Sequence, residues 1–355
     1  MSGGVDSSVA AFLLQKEGFE VIGIHMRLGG FGVNSEDAAR QVCRKLGISF
    51  YPINLADKFK QEVVDYFLES YKSGITPNPC VKCNKMIKFG ELLRVMKELG
   101  ADHLATGHYL RILECRTQNA ELVYKLNKAN DTNKDQTYFI YNLTQGQLAH
   151  VLFPLGDYTK EEVKKIAVEN YLPNIKTESQ DICFLNIEGK IVEHNEFLQQ
   201  HVELAPGKII WLKKEGMIRK EIEVGQHKGL PLYTIGQRRG IEVGGIGPFY
   251  AVCMDYQDNI LYVVDDADDE LLFSDSFKIE NVNWLSGAEP KYPLSCEVMI
   301  RYRHKAVKCR VIKNKKEELE VLLEKPERAI MSGQSAVFYN GDELLGGGII
   351  QRFRN

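Results

Sequence analysis

Along the first half of the chain, apolar positions alternate between two periods. Val9, Phe12 and Leu13 recur at helical spacing after the opening "SGGVDSS", and Gly18 stands where a helix C-cap falls. "VIGIHM" follows as a nearly continuous apolar run, the mark of a buried strand. The cycle then repeats. "SEDAARQVCRKLG" places Ala39, Val42, Cys43 and Leu46 on one helix face, "ISFYPI" reads as the next strand and "HLATGHY" as another. Strands separated by helices predict right-handed crossovers and a parallel sheet, with ligands expected beyond the strand C-termini.

At "FPLGDYTKEEVKKIAVEN" the pattern becomes helical only, with Thr159 and Glu162 spaced as a capping box. From "APGKII" onward, short β-branched runs broken by Gly, Pro and Asn predict β structure. Boundaries are expected near Pro206 and Leu272, giving an α/β domain over 1–205, a small mainly β domain over 206–272 and a further β domain over 273–355. A chain of 355 residues is too long for one ordinary core and agrees with two or three domains.

Composition narrows the class. Hydrophobic residues at 44% and charged residues at 26% are those of an ordinary folded protein, so disorder is not expected. No apolar run approaches the roughly 18 residues of a membrane span, and the N-terminus lacks a signal-peptide pattern. The expectation is a cytoplasmic protein with no membrane partner. Eight cysteines are too few for a disulfide scaffold and are expected to stay reduced, most of them as core fillers.

The net charge of −3 argues against a generally basic coat, but charge is unevenly spread. "RYRHKAVKCRVIKNKK", residues 301–316, holds eight Lys or Arg and no acid. Arg301, Arg303 and Lys305 alternate as on one strand face, and Lys308 and Arg310 continue after a phase shift, with Tyr302 interleaved. Such a strand is either a phosphate-and-base platform or a solvated edge protected by its lysines.

Three stretches carry candidate chemistry. In "SGGVDSS", Gly3 and Gly4 let the backbone curl around an anion, the next helix offers its positive end, and Ser2, Ser7 and Ser8 add hydroxyls. The Walker lysine is missing, and a capped surface turn is the plain alternative. In "TPNPCVKCNKMIKFG", prolines flank Asn78, and a helix read from "NKMIKFGELLRVMKELG" puts Cys83 at its N-terminal end. With Lys82 and Lys85 beside it, that thiol is expected to have a lowered pKa. A zinc ribbon is disfavoured, since no second C-x-x-C occurs; an inert or structural pair stays open. In "TESQDICFLN", Cys183 alone reads as buried filler.

"SGGVDSS" before a helix resembles the pyrophosphate loop of ATP enzymes that adenylate a substrate. That resemblance implies ATP, with Mg²⁺ bridging phosphates and Asp6 helping to hold the metal. In order along the chain, this loop, "TPNPC-x-x-CNK-x-IKFG", "ATGHY", "NKDQTYF", "DICF", "GQ-x-x-GL-x-x-YTIGQR-x-G" and "GQSAVFYNGDELLGGGII" resemble the bacterial-type tRNA 2-thiouridylases over essentially the whole chain.

The resemblance implies a pyrophosphate-loop domain of the adenine-nucleotide α-hydrolase type, a central β domain and a C-terminal β-barrel that contacts RNA. It implies a reaction in which ATP adenylates the C2 oxygen of the wobble uridine, position 34, and persulfide sulfur displaces AMP to give 2-thiouridine. Cys183 would receive the persulfide from a cysteine desulfurase or sulfur-relay protein, and Cys83 would form a disulfide with it as sulfur leaves. Ser2, Gly3, Gly4, Val5, Asp6, Ser7, Ser8, Met26 and Gly107 would contact ATP. Asn78, Pro79, Cys80, His108, Lys134, Asp135, Gln136, Arg301, Tyr302 and Gln334 would contact tRNA, the substrates being tRNAs for Lys, Glu and Gln. For His108 a structural histidine is the alternative, and for Lys134, Asp135 and Gln136 a solvated loop.

The chain departs from the family twice. Family members carry an apolar strand directly before the loop, where this sequence has Met1, so the natural start is expected upstream. Cys80 stands where many members have an aspartate credited with acid/base help, which makes Cys80 a further catalytic candidate. Cys80, Cys83 and Cys183 could alternatively hold an iron–sulfur cluster. Two rival functions remain: a pyrophosphate-loop ligase or amidotransferase acting on a small molecule, and an inactive tRNA-binding homologue.

Overall fold

A computed structural model describes residues 1–31, 35–116, 120–173, 183–187 and 190–351. The opening loop leads into helix α1, Val5–Lys16, whose Val5, Val9, Ala10 and Leu13 are buried. Strand β1, Ile22–Arg27, follows, then helix α2, Glu36–Leu46, which ends on Gly47 in the left-handed conformation that favours glycine. Strand β2, Ser49–Asn54, pairs with β1 in parallel. Strands β3, Leu104–Ala105, and β6, Val151–Leu152, form a second parallel pair. Between them lies an antiparallel hairpin of β4, Leu110–Arg116, and β5, Leu122–Lys128, which the periodicity reading did not anticipate.

The helix carrying Cys83 begins earlier than the sequence pattern predicts. It runs continuously through Pro79–Cys83, a π-wound stretch Asn84–Glu91, and Leu92–Glu98. Asn78 caps it by accepting from the Val81 amide at 3.3 Å, and Pro79 takes the first helical position, where its missing N–H costs nothing. Cys83 therefore lies in the second turn, not at the positive end. The helix over 160–169 has the expected capping box of Thr159 and Glu162.

Short strands β7, Asn186–Ile187, and β8, Lys190–Ile191, and the helix His194–His201 lead to the β half of the chain. Strands β9, Gly207–Glu215, β10, Ile218–His227, β11, Tyr250–Asp255, and β12, Ile260–Val264, form a four-stranded sheet in the order β10-β9-β12-β11. Six further strands follow: β13, Phe273–Trp284; β14, Leu294–Met299; β15, Val307–Lys313; β16, Leu319–Arg328; β17, Ser335–Asn340; and β18, Glu343–Ile350. Because β13 pairs with both β16 and β18, these six close into a barrel.

Two findings revise the sequence picture. Residues 301–306 form a turn between β14 and β15 instead of a strand, with Arg303 at φ +62, so Arg301, Arg303 and Lys305 do not share a strand face. Tyr302 is drawn inward, its ring 4.4 Å from that of Phe139. Only Lys308 and Arg310 alternate on a strand, exposed on β15. In addition, β5 pairs with β18 at Leu126 and Leu344, so a hairpin from the α/β half extends the barrel sheet. One hydrophobic core runs across the join, from Phe59, Phe67 and Ile87 to Val337, Tyr339 and Leu344.

Candidate active site

The cradle is built from the first turn outward. Gly3 has φ +79, and a Cβ there would lie 2.8 Å from the Ala38 Cβ and 2.9 Å from the Ser35 carbonyl oxygen, so only glycine lets the loop rest on the start of α2. Gly4 is the N-cap of α1 and offers no side chain to that helix's first amides. Those donors remain for an anion, which fits a phosphate group. The hydroxyls of Ser2 and Ser7 lie 3.0 Å apart. Ser8 is buried and donates to the Gly4 carbonyl, and the Val5 side chain lies in the core, so these two positions offer backbone only.

Asp6 is held from two sides. Its Oδ1 accepts from the Lys160 ammonium at 2.6 Å and from the Tyr109 hydroxyl at 2.7 Å. Lys160, from a helix far along the chain, brings to the cradle the cation that the loop itself lacks. Gly107 packs on the same turn: a Cβ there would stand 2.9 Å from the Asp6 carbonyl carbon and 3.0 Å from the Ser7 nitrogen. Met26 is half-buried on β1. The Met1 ammonium donates to the Ile24 carbonyl, and His25 Nδ1 lies 2.9 Å from the Met1 carbonyl oxygen.

His108, next to Gly107, links this cradle to the thiols. Its Nδ1 lies 2.8 Å from the Thr106 hydroxyl, and its Nε2 lies 3.3 Å from the Lys88 ammonium. An ammonium can only donate, so Nε2 accepts and Nδ1 carries the proton. Burial, with the Lys88 charge beside it, holds the imidazole well below its usual pKa. The ring sits among Phe89 and Phe153.

Lys88 also reaches the cysteines. Cys83 is 8% exposed, and burial pushes its thiol up to about 12; Lys88 pulls it down, and the like charges of Cys183 and Cys80 push it further up. The lowered pKa expected at a helix N-terminus is thus reversed, because the longer helix buries Cys83 and turns Lys82 toward Glu62 at 3.4 Å. Cys183 is on the short turn Cys183–Leu185. The residue is exposed, yet crowding around its sulfur still raises the thiol, while Lys88 and the Cys183 and Phe184 amides oppose the rise. The two distant thiols therefore lie within electrostatic reach of one ammonium.

Sequence reasoning did not single out Lys88, although it lies inside the quoted "IKFG". The π-winding of 84–91 supplies the missing geometry. At 3.6 residues per turn, Lys88 would point away from Cys83; the wider turn swings it toward the same face. Among the described residues no group of three His, Cys, Asp or Glu side chains is placed to hold a metal ion, so Cys80, Cys83 and Cys183 do not fit an iron–sulfur cluster as they stand. Asp6 likewise faces an ammonium, and among the described residues it belongs to no group of three such side chains placed to hold a metal.

The remaining candidates are spread more widely. Pro79 is buried and Cys80 half-buried at the start of the thiol helix. Lys134 is half-buried, while Asp135 accepts from the Ala129 amide and the Thr137 hydroxyl, and Gln136 Oε1 from the Tyr109 amide. Arg301 is half-buried on the turn with Tyr302. Gln334 donates to the carbonyls of Thr76 at 3.0 Å and Pro77 at 3.2 Å, bracing the loop that enters the thiol helix.

Residues 1–187 match the family described as tRNA methyl transferase HUP domain, 195–265 the tRNA methyl transferase PRC-barrel domain and 274–350 the aminomethyltransferase beta-barrel domain. The tRNA-specific 2-thiouridylase of Clostridium acetobutylicum is 40% identical over 365 aligned residues, covering 99% of this chain and 98% of the relative. That of Geobacillus thermodenitrificans is 42% identical, covering 100% and 94%, and that of Chloroflexus aggregans 41%, covering 99% and 97%. The chain belongs to the tRNA-specific 2-thiouridylase family. Membership in that family covers the cradle, the thiol helix and the barrel in one alignment, as the ordered motifs predict. The thiouridylase fold is thus a HUP domain, a PRC-barrel domain and a closed β-barrel in series.

Proposed function

We propose that this chain is an ATP-dependent tRNA sulfurtransferase that replaces the C2 oxygen of the wobble uridine by sulfur, releasing AMP and pyrophosphate. The observation that carries the reading is Lys88, which touches His108 beside the cradle and acts on the charges of both Cys83 and Cys183. Nucleotide and sulfur chemistry thus meet at one lysine.

ATP, when bound, supplies the adenylyl group that makes a uracil oxygen a leaving group. The amides at the start of α1 hold its phosphates, and Lys160 stands ready to exchange Asp6 for a phosphate oxygen. Mg²⁺ bound with ATP would neutralise phosphate charge, with Asp6 the carboxylate in the cradle that could help to hold it. Cys183, exposed, receives sulfur as a persulfide from a cysteine desulfurase or relay protein. The terminal sulfur bonds to C2 as the C–O bond breaks. The Cys83 sulfur bonds to that of Cys183 as the persulfide S–S bond breaks, and the electron pair stays on the transferred sulfur. The proton of Cys83 is released, and the disulfide is reset by a thiol reductant. Phe59, Phe67, Phe184 and Phe197 pack ring on ring and give the turn that carries Cys183 an apolar backing. On this reading Arg301, Lys308 and Arg310 face tRNA, with Tyr302 bracing their turn against Phe139 and tRNAs for Lys, Glu and Gln as substrates.

The test supplies ATP, a persulfide donor and tRNA lacking the modification, and measures 2-thiouridine and AMP. Product is expected from the native chain and none from Cys83→Ser or Cys183→Ser. Product from both variants overturns the reading. ATP consumption independent of tRNA favours a small-molecule ligase, and tRNA binding without ATP consumption an inactive homologue.

A further inference from the structure

The thiol chemistry above leaves a second cysteine pair unused. Cys296 on β14 and Cys309 on β15 stand directly opposite in antiparallel register, with their sulfurs 3.6 Å apart. Opposed residues on such strands have Cα atoms about 4.5–5.5 Å apart, inside the range of roughly 4.4–6.8 Å that a disulfide spans. The two are not equivalent: Cys296 is half-buried, whereas Cys309 is 6% exposed. Both side chains take the face of β14 and β15 that Val298 and Val311 also take, in the barrel's apolar cluster, whereas Lys308 and Arg310 point to the other face. Neither cysteine belongs to the cradle or the thiol helix.

We propose that Cys296 and Cys309 are a redox-active dithiol that closes to a cross-strand disulfide by exchange with a low-molecular-weight disulfide. The Cys296 thiolate attacks one sulfur of the small disulfide, forming a mixed disulfide and expelling one small thiolate. The Cys309 sulfur then attacks that of Cys296, losing its proton and expelling the second small thiol. Two protein thiols are oxidised and one small disulfide is reduced to two thiols. The exposure difference makes Cys296 the attacking and Cys309 the resolving sulfur. The bridge ties the strands on either side of the turn that carries Arg301 and Tyr302.

The test incubates the full chain with oxidised glutathione and maps cysteine-containing peptides by mass. The native protein is expected to lose two hydrogens across a linked Cys296–Cys309 peptide pair. Cys309→Ser should trap one glutathione on Cys296, and Cys296→Ser should leave Cys309 unmodified. The proposal is overturned by a stable mixed disulfide on Cys296 of the native protein, by modification of Cys309 in Cys296→Ser, or by both thiols staying alkylatable after Cys183 has reacted.

Discussion

The ammonium of Lys88 lies 3.3 Å from Nε2 of His108, and its charge acts on Cys83, Cys183 and His108 alike. Removing it raises both thiols further, since a nearby positive charge favours thiolate. Lys88→Met is expected to lower sulfur transfer roughly a hundredfold, in line with losses on removing one charge-stabilising group. Lys88→Arg should restore part of it. The alkylation profile of Cys183 against pH checks the cause: it moves to higher pH in the methionine variant, and an unmoved profile rules the role out.

Acid should weaken the fold through His108. Its folded-state pKa is lowered from 6.5, so below that value the unfolded chain binds the proton more readily. The contribution is fully present above pH 6.5 and is lost as pH falls, at up to about 1.4 kcal/mol per pH unit. Thermal melts between pH 7.5 and 5.5 should show a shallower fall for His108→Gln than for the native chain.

Lys160 and Asp6 should act on the nucleotide, not on sulfur. A charged hydrogen bond is worth about 1.5–3 kcal/mol, so Lys160→Met is expected to raise the ATP KM by roughly ten- to a hundredfold. It should leave loading of a persulfide on Cys183 unchanged. Equal loss of both activities, measured as AMP release and persulfide content, would place Lys160 elsewhere in the scheme.

Gln334 should behave as a brace. Gln334→Ala strips donors from two carbonyls at 76 and 77, a cost of roughly 1–3 kcal/mol. Thermal stability and sulfur transfer are expected to fall together while the ATP KM holds. A loss confined to tRNA affinity, with an unchanged melt, makes Gln334 a ligand contact instead.

Local pattern carried a long way in this chain. The helix–strand cycle predicted α1, α2, β1 and β2, the Thr159–Glu162 box shows as drawn, and the glycines of the cradle point to a phosphate before any coordinates. What escaped were effects with no local trace. Lys160 reaches Asp6 across 154 positions. The charge of Lys88 is turned toward Cys83 by the π-winding of the helix, and nothing in "NKMIKFGE" announces that winding. The basic run misled for the opposite reason: alternation of Arg301, Arg303 and Lys305 fits a strand, but the ring of Tyr302 finds Phe139 and the backbone turns to let it. Cys83 was given a low pKa from its charged neighbours, whereas burial, a tertiary quantity, decides the sign.

Pairing of β5 with β18 also bears on how this molecule can be cut. A fragment beginning at residue 273 would leave Glu343 and Leu344 without Asn127 and Leu126, their partners on β5, and would deprive Ser335 of its hydrogen bonds with the hydroxyls of Tyr138 and Tyr141. Such a bare edge invites self-association. The barrel is therefore not a portable module, and a graft meant to carry it into another protein has to bring residues 110–128 along.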